Sequence, residues 1–162
     1  MIVRFMLGRL LVFLAGAAPL ALTTAARAQD LAAHCAAVGY DDRIKPIPTA
    51  LVLAAHQALG MGPNEPDTAL EAGTVYRCMG GEVWLCNHGA NLTCAKGDVR
   101  RVSQGAAAWC KDHPGSVVVP MAATGHDTIY TWACVGSEPR VTQAEKLDPR
   151  GFIANQWRPL EK

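Results

Sequence analysis

The sequence has few charged residues, few aromatic residues and no cluster of basic side chains. Charged residues make up 18% of the 162 positions and aromatic residues 6%, and 15 Lys+Arg nearly balance 14 Asp+Glu. Arg100-Arg101 is the one adjacent basic pair, so the chain lacks the basic surface that neutralises nucleic-acid phosphates. A hydrophobic content of 50% excludes a disordered or fibrous chain. We expect no nucleic-acid partner.

Motifs for catalysis and for cofactor binding are also missing. The sequence contains no G-x-S-x-G, H-E-x-x-H, phosphate-loop, dinucleotide-binding or EF-hand pattern. It has no C-x-x-C pair, which disfavours a thioredoxin-like redox site, covalent haem and the usual zinc spacing. The carboxylates are dispersed, so no paired acid/base site is predicted. We therefore expect no cofactor, and a non-enzymatic protein is favoured.

The N-terminal segment has the features of an export signal. Arg4 and Arg9 precede the apolar run Leu10–Leu22, and Ala26-Arg27-Ala28 has the small-x-small pattern of a signal-peptidase site. A retained membrane anchor is the alternative, because the apolar segment is nearly long enough to span a bilayer. The two arginines interrupt that segment and favour a cleaved signal peptide over residues 1–28.

Cleavage there leaves residues 29–162, beginning at Gln29, as a single disulfide-containing α+β domain. Removing three arginines leaves 12 Lys+Arg against 14 Asp+Glu, a net charge of −2. The expected location is periplasmic or secreted, with no stable membrane insertion after cleavage. The expected partner is a periplasmic protein or a small ligand.

All six cysteines lie in this mature segment. An even number in an exported chain predicts three disulfides, for which fifteen connectivities exist. A catalytic cysteine must stay reduced and would normally leave an odd number. The cysteines are Cys35, Cys78, Cys86, Cys94, Cys110 and Cys134.

The sharpest local signal is a hairpin. Two β-rich runs, Val75–Met79 and Glu82–Cys86, flank Gly80-Gly81, which fits a two-residue turn. This register places Cys78 opposite Val83, and the alternation of side chains then directs Cys78 and Cys86 to opposite faces. The two cysteines should therefore not bond to each other.

Three pairings are predicted. Cys94–Cys110 would pin an irregular loop to the following helix, because such a loop has little core of its own. Cys78–Cys134 is favoured because TVYRCMGGE and TIYTWACVGSE are similar strands that run into glycine turns, which also suggests that these strands share one sheet. Cys35–Cys86 is the pair that remains.

The rest of the chain predicts an α+β fold with a small antiparallel sheet and three or four short helices, stapled by disulfides. Turn and cap residues set the expected boundaries. The expected elements are a helix from Asp30 to Val38, a linker over Asp41–Pro48, a buried rather than a surface helix from Thr49 to Gly60, a loop over Met61–Gly73, a helix from Ser103 to Asp112, strands at Ser116–Met121, Thr128–Val135 and Arg140–Gln143, turns at Thr124–Asp127 and Glu138-Pro139, and a final helix from Asp148 to Trp157.

Four polar residues in glycine-rich loops are the candidate ligand-binding residues: His88, Asn91, His126 and Asp127. Histidine and aspartate at one end of the sheet could bind a ligand or a metal. Alternatively, they are turn residues whose side chains bond their own backbone. His56 and the four tryptophans are interpreted as partly buried or core side chains.

The runs IPTALVLAAHQALG, YRCMGGEVWLCNHGANLTC, TGHDTIYTWACVGSEP and LDPRGFIANQWRPL resemble a group of small exported bacterial proteins of unassigned function. Tyr76-Arg77-Cys78 and Cys134 are also similar to features of the periplasmic inhibitors of C-type lysozyme. The inhibitory S-G-A-x-Y loop of those inhibitors does not occur in this sequence. That second resemblance therefore implies only compartment and size.

These observations favour an exported non-enzymatic binding or interaction module, an inhibitor or an accessory subunit. The alternative is a small secreted metal-binding protein or enzyme that uses His88 and His126. A purely structural envelope protein is a third possibility, and it would have no soluble partner.

Overall fold

The computed structural model describes residues 21–62, 64–89 and 92–160 and shows an α+β fold with two antiparallel sheets. In chain order the elements are α1 (Ala21–Val38), β1 (Asp41–Pro46), a 3-10 turn (Thr49–Leu51), α2 (Val52–Leu59), α3 (Asp67–Gly73), β2 (Thr74–Met79), β3 (Glu82–Asn87), α4 (Gln104–Asp112), α5 (Met121–Thr124), β4 (Tyr130–Val135), β5 (Glu138–Ala144), a 3-10 turn (Ala154–Gln156) and β6 (Arg158–Pro159). Within the described ranges, no helix combines the length and the apolar character needed to cross a bilayer.

The larger sheet has the strand order β1-β2-β3-β6 and contains the predicted hairpin. Its register is confirmed: Cys78 pairs with Val83 and Val75 with Cys86. Gly80 and Gly81 both have positive φ, at 62° and 84°, which is the conformation that a type I′ turn requires.

Helices α1 and α2 cover one face of this sheet. The core beneath them is mainly aliphatic and includes Leu31, Leu51, Val52, Leu70 and Leu85. Helix α1 ends before Gly39 as predicted, and Gly39 has a φ of 70°. The predicted start at Asp30 is wrong, because the described helix already begins at Ala21 and Asp30 is an exposed residue within it. Residues 1–20 lie outside the described ranges, and cleavage after Ala28 stays a prediction.

Three other expectations for this part of the chain need correction. Residues 41–46 form an edge strand rather than a linker, since Pro46 can pair with Val75 where no further strand needs its N–H. Residues 67–73 form α3 rather than a loop, because buried Leu70 anchors that helix. Helix α2 is present as predicted, but it is partly a surface helix: Val52 and Ala55 are buried, whereas Leu53 is 75% exposed.

The smaller sheet consists of β4 and β5 alone, so the expectation that both hairpins share one sheet is wrong. Its turn lies at Gly136-Ser137, since Val135 pairs with Glu138, and not at Glu138-Pro139. The predicted strand at Ser116–Met121 is wrong. This segment contacts β4 through only two backbone hydrogen bonds and then enters α5.

Helix α4 is confirmed together with its cap: the Ser103 hydroxyl accepts the Ala106 N–H at 3.1 Å. Its buried face packs with β4 around Tyr130 and Trp132. The predicted final helix is wrong, because an Asp148 carboxylate oxygen accepts the N–H groups of Arg150 and Phe152 and closes a turn instead.

The structure contains three disulfides, as predicted, but with other partners. They are Cys35–Cys78, Cys86–Cys94 and Cys110–Cys134. Cys78 and Cys86 are not bonded to each other, as the hairpin register required. The predicted pairs Cys94–Cys110, Cys78–Cys134 and Cys35–Cys86 are wrong. Cys78 and Cys134 lie in different sheets, and Cys94 bonds instead to Cys86 of β3, the strand that precedes its loop.

A third cluster packs the C-terminal segment against the larger sheet. Phe152 and Trp157 of the C-terminal segment pack with the Cys86–Cys94 disulfide. The guanidinium of Arg77, which is fully buried, lies 4.1 Å from the Phe152 ring centre and 4.5 Å from that of Trp157, and it forms an ion pair with Asp148. Burial lowers the pKa of Arg77, and the Asp148 carboxylate opposes that shift.

Candidate functional site

A small cleft lies where the α5–β4 turn, the end of β5 and the second 3-10 turn meet. Its volume is about 180 Å³, and loops held on a rigid scaffold are common places for binding residues. We call it the His126 cleft, and its lining residues are Leu92, Met121, His126, Thr128, Glu145, Ile153, Asn155 and Gln156.

The deepest part of the cleft combines apolar and polar groups. Thr128 and Ile153 are 8% and 2% exposed. The Gln156 side-chain oxygen Oε1 is buried and accepts no hydrogen bond from any described residue. A buried acceptor without a partner costs about 1–3 kcal/mol. The oxygen itself has almost no accessible surface, so Gln156 lines the cleft through the rest of its side chain.

A hydrogen bond at the edge of the cleft connects two of the loops. Asn155 Nδ2 donates to Glu145 Oε2 at 2.9 Å, and the backbone N–H of Ala154 donates to the carbonyl of Lys146 at 2.9 Å. The backbone N–H of Glu145 in turn donates to the carbonyl of Ile129 at 2.8 Å, beside β4. The two backbone bonds connect the end of β5 with β4 and the 3-10 turn, and the Glu145 carboxylate is joined to the turn by one hydrogen bond between exposed side chains.

A larger groove of about 560 Å³ adjoins the cleft and shares Thr128 with it. It runs along the N-terminus of α4, where the Ser103 hydroxyl is already used as the cap. Asp98 accepts three side-chain hydrogen bonds from Arg100, which hold the pKa of Asp98 below its ordinary value. The main polar groups of this groove therefore have partners among the described residues.

The four sequence-predicted ligand residues are distributed over different places. His126 lines the cleft, and Asp127 is next to it in the turn, where its backbone carbonyl accepts the Asp98 N–H at 2.6 Å. His88 is exposed after β3, its N–H bonded to the Gly73 carbonyl at 2.7 Å, and it does not line the cleft. Asn91 lies outside the described residues.

Two further sets of residues bear on a metal site. In the described part of the chain, no three His, Cys, Asp or Glu side chains are grouped so as to hold a metal ion. All six cysteines are in disulfides. His56, interpreted from the sequence as a partly buried helix residue, has a 14% exposed side chain whose Nε2 lies 2.9 Å from Asp67 Oδ1.

Sequence reasoning missed most residues of the cleft. Glu145 follows β5 directly, and Asn155 and Gln156 lie in a segment that was expected to be a regular helix. Nothing in the spacing of these residues connects them with His126. The one available signal was the polar turn at His126, and it identified one side of the cleft.

No protein-family model, curated protein or solved structure matches this chain. The resemblance to small exported proteins of unassigned function therefore stays an expectation from the sequence.

Proposed function

We propose that this protein is an exported, non-enzymatic binding module that takes a small ligand in the His126 cleft. One observation carries the proposal: the cleft combines apolar walls with the polar side chains of His126, Glu145 and Asn155. Ligand sites typically combine such walls with a few polar groups that fix orientation.

The chemistry of the cleft supports binding rather than turnover. Its acidic group, Glu145, is held by Asn155. The Thr128 hydroxyl oxygen accepts the Tyr130 N–H at 3.2 Å, and none of the hydrogen bonds among the described residues pairs this hydroxyl with a base, as an activated nucleophile requires. Groups that are held in place and not activated suit recognition.

Three disulfides support the export part of the proposal, because oxidising compartments maintain such bonds and the cytosol does not. With the A-R-A site before Gln29, the mature protein is periplasmic or secreted. Mass spectrometry of protein recovered outside the cytoplasm should find a chain that begins at Gln29. Recovery of a chain that still carries residues 1–28 contradicts a cleaved signal.

A fragment screen observed by NMR tests the binding function. Compounds that bind should shift amide signals of residues 121–128, 145 and 153–156. Gln156→Leu should abolish these shifts, whereas Gln143→Leu, which changes an exposed glutamine of β5, should leave them unchanged. A library without any such hit overturns the proposal.

Metal analysis of untagged protein tests the alternative from the sequence. Stoichiometric zinc or copper that is lost in a His126→Ala variant would replace the binding-module proposal with the metal-site alternative.

A further inference from the structure

We propose that the Arg101–Val102 peptide bond is the cleavage site of the folded protein for endopeptidases that recognise arginine, and that cleavage there gives two chains that stay associated without a covalent bond. This inference goes beyond the ligand-binding function and does not depend on it. It follows from the exposure of one segment, from its backbone contacts and from the positions of the three disulfides.

The segment 99–102 lies between the backbone bridge at Asp98 and the Ser103 cap of α4, and it belongs to no helix or strand. All four of its residues are exposed, and Val102 is 83% exposed. No backbone–backbone hydrogen bond joins residues 99–102 to another described residue. A protease cleaves a chain that it can bind in an open conformation, so a segment without such bonds needs the least local unfolding before it is cut.

The two arginines of this segment differ in how firmly their side chains are held. Arg100 donates three side-chain hydrogen bonds to the Asp98 carboxylate, and its backbone N–H donates a fourth. The Arg101 guanidinium instead lies over the Tyr130 ring, 5.2 Å from its centre. An exposed contact of that kind is weak. Proteases with arginine specificity bind the side chain before the cleaved bond in a pocket that contains a carboxylate, so Arg101 is the residue that can enter such a pocket most easily.

Lys146 is the nearest competitor, because it is also exposed and also lies outside the helices and strands. Backbone contacts hold it in place, however. Its carbonyl accepts the Ala154 N–H at 2.9 Å, and the following residue, Leu147, forms a backbone bridge with Ile153. Cleavage after Lys146 first requires these contacts to open, so the fold protects that bond.

The disulfides divide the chain at the same segment. Two of the three bonds lie before Arg101 and one lies after it; they are, in order, Cys35–Cys78, Cys86–Cys94 and Cys110–Cys134. These bonds use all six cysteines. Hydrolysis adds one water molecule across the peptide bond and leaves a carboxylate on Arg101 and an amino group on Val102. No covalent link then joins the two products.

Contacts that cross the cut keep the products together. Strand β6 pairs with β3, Asp148 forms its buried ion pair with Arg77, and the C-terminal segment packs on the Cys86–Cys94 disulfide. Each of these contacts joins residues before the cut to residues after it. All lining residues of the His126 cleft except Leu92 follow the cut, so the candidate site stays with the second product.

Limited digestion of the exported full chain with trypsin, its disulfides intact, tests this proposal. Mass spectrometry of the first products should find one chain that ends at Arg101 and one that begins at Val102. The products should separate on a denaturing gel without reductant, and they should elute together, at the volume of the uncut protein, in size-exclusion chromatography under native conditions. A first cut elsewhere between residues 29 and 162 overturns the site. Products that do not separate on that gel, or that elute apart under native conditions, overturn the associated two-chain form.

Three variants assign the cut to its residue. Arg100→Gln/Arg101→Gln should slow the first cut by more than about tenfold, because a pocket built for a cationic donor rejects an uncharged side chain. Arg100→Gln alone, and Lys146→Gln as the matched control, should leave the cut after residue 101 with its rate within about twofold, since both change exposed side chains. An unchanged urea midpoint in each variant shows that the fold is retained. A cut that disappears in Arg100→Gln, or that persists at the wild-type rate in the double variant, contradicts the assignment to Arg101.

Discussion

The two halves of the molecule differ in the secondary structure and in the side chains that form their hydrophobic cores. The N-terminal half, residues 21–87, packs helices on a sheet over a mainly aliphatic core. The C-terminal half, residues 104–144, packs α4 against a two-stranded sheet over a core that contains Tyr130 and Trp132. A two-stranded hairpin is at best marginally stable in water by itself. The second half therefore depends more on its disulfide, on α4 and on the segment that follows β5.

That following segment, residues 145–160, connects the halves. Its last strand pairs with β3 through Trp84 and Leu85, and Asp148 forms the buried pair with Arg77 of β2. The same segment supplies Glu145, Asn155 and Gln156 to the His126 cleft. The candidate site therefore lies where the C-terminal half meets the segment 145–160, which connects it to the N-terminal half.

The largest expected effect comes from removing one disulfide in each half. Cys35→Ala/Cys78→Ala opens a loop of 43 residues and Cys110→Ala/Cys134→Ala one of 24. Loop-closure entropy then predicts losses of about 4 and about 3 kcal/mol in the free energy of unfolding, measured by urea denaturation. A larger loss from the shorter loop would contradict the entropic argument and show that the two-stranded half needs its bridge for more than constraint of the unfolded chain.

Breaking the buried ion pair tests the connection between the halves. Asp148→Asn keeps an oxygen for the Arg150 and Phe152 N–H groups but leaves Arg77 as an uncompensated buried charge. We expect a loss of about 3 kcal/mol in the free energy of unfolding. Because the double variant Arg77→Met/Asp148→Asn removes that charge, it should recover most of the loss. A single variant within about 0.5 kcal/mol of wild type would be incompatible with this role of the pair.

A single methyl group should disturb the C-terminal half alone. A Cβ atom at Gly105 would lie 1.7 Å from the Ala123 carbonyl oxygen, so α4 and α5 would have to move apart. Gly105→Ala should cost about 2 kcal/mol and accelerate hydrogen exchange in α4 more than in β2 and β3. Gly62→Ala is the matched control, since a Cβ there meets no atom within 4 Å. Equal acceleration in both halves would show that they unfold as one unit.

The smallest expected effect concerns stability in acid, at the surface where β1 meets the segment 145–160. Asp42 of β1 accepts hydrogen bonds from Arg150 and Lys96. The Arg150 guanidinium, followed by Lys96, holds the pKa of the Asp42 carboxyl below its ordinary value of 3.8. Because the folded-state pKa is the lower one, this stabilisation is present above pH 3.8 and is lost as the pH falls through the folded-state value.

Asp42→Asn should accordingly cost about 0.5 kcal/mol at pH 7, the range of a partly exposed ion pair. In urea titrations, the difference from wild type should shrink as the pH is lowered below 3.8. Glu65→Gln, which changes an exposed carboxylate away from this pair, should show no such convergence. A difference that is constant with pH would assign the effect of Asp42→Asn to something other than its charge.

The features that were predicted correctly from the sequence depend on residues that are close together along the chain. The Gly80-Gly81 turn, the register it imposes and the Ser103 cap each depend on residues within a few positions of one another. For that reason the hairpin, the start of α4 and the exclusion of a Cys78–Cys86 bond were all predicted correctly. The even number of cysteines likewise indicated three disulfides.

Contacts between distant segments decided the rest. Asp41–Pro46 is a strand because it pairs with the edge of β2. Asp148 begins a turn rather than a helix, and its carboxylate also forms an ion pair with the distant Arg77. By itself, the sequence determined the number of disulfides and the strongest local elements. The partners of the cysteines, the division into two sheets and the convergence of His126, Glu145 and Gln156 were decided by the tertiary structure alone, because each depends on which segments pack together and no local pattern encodes that choice.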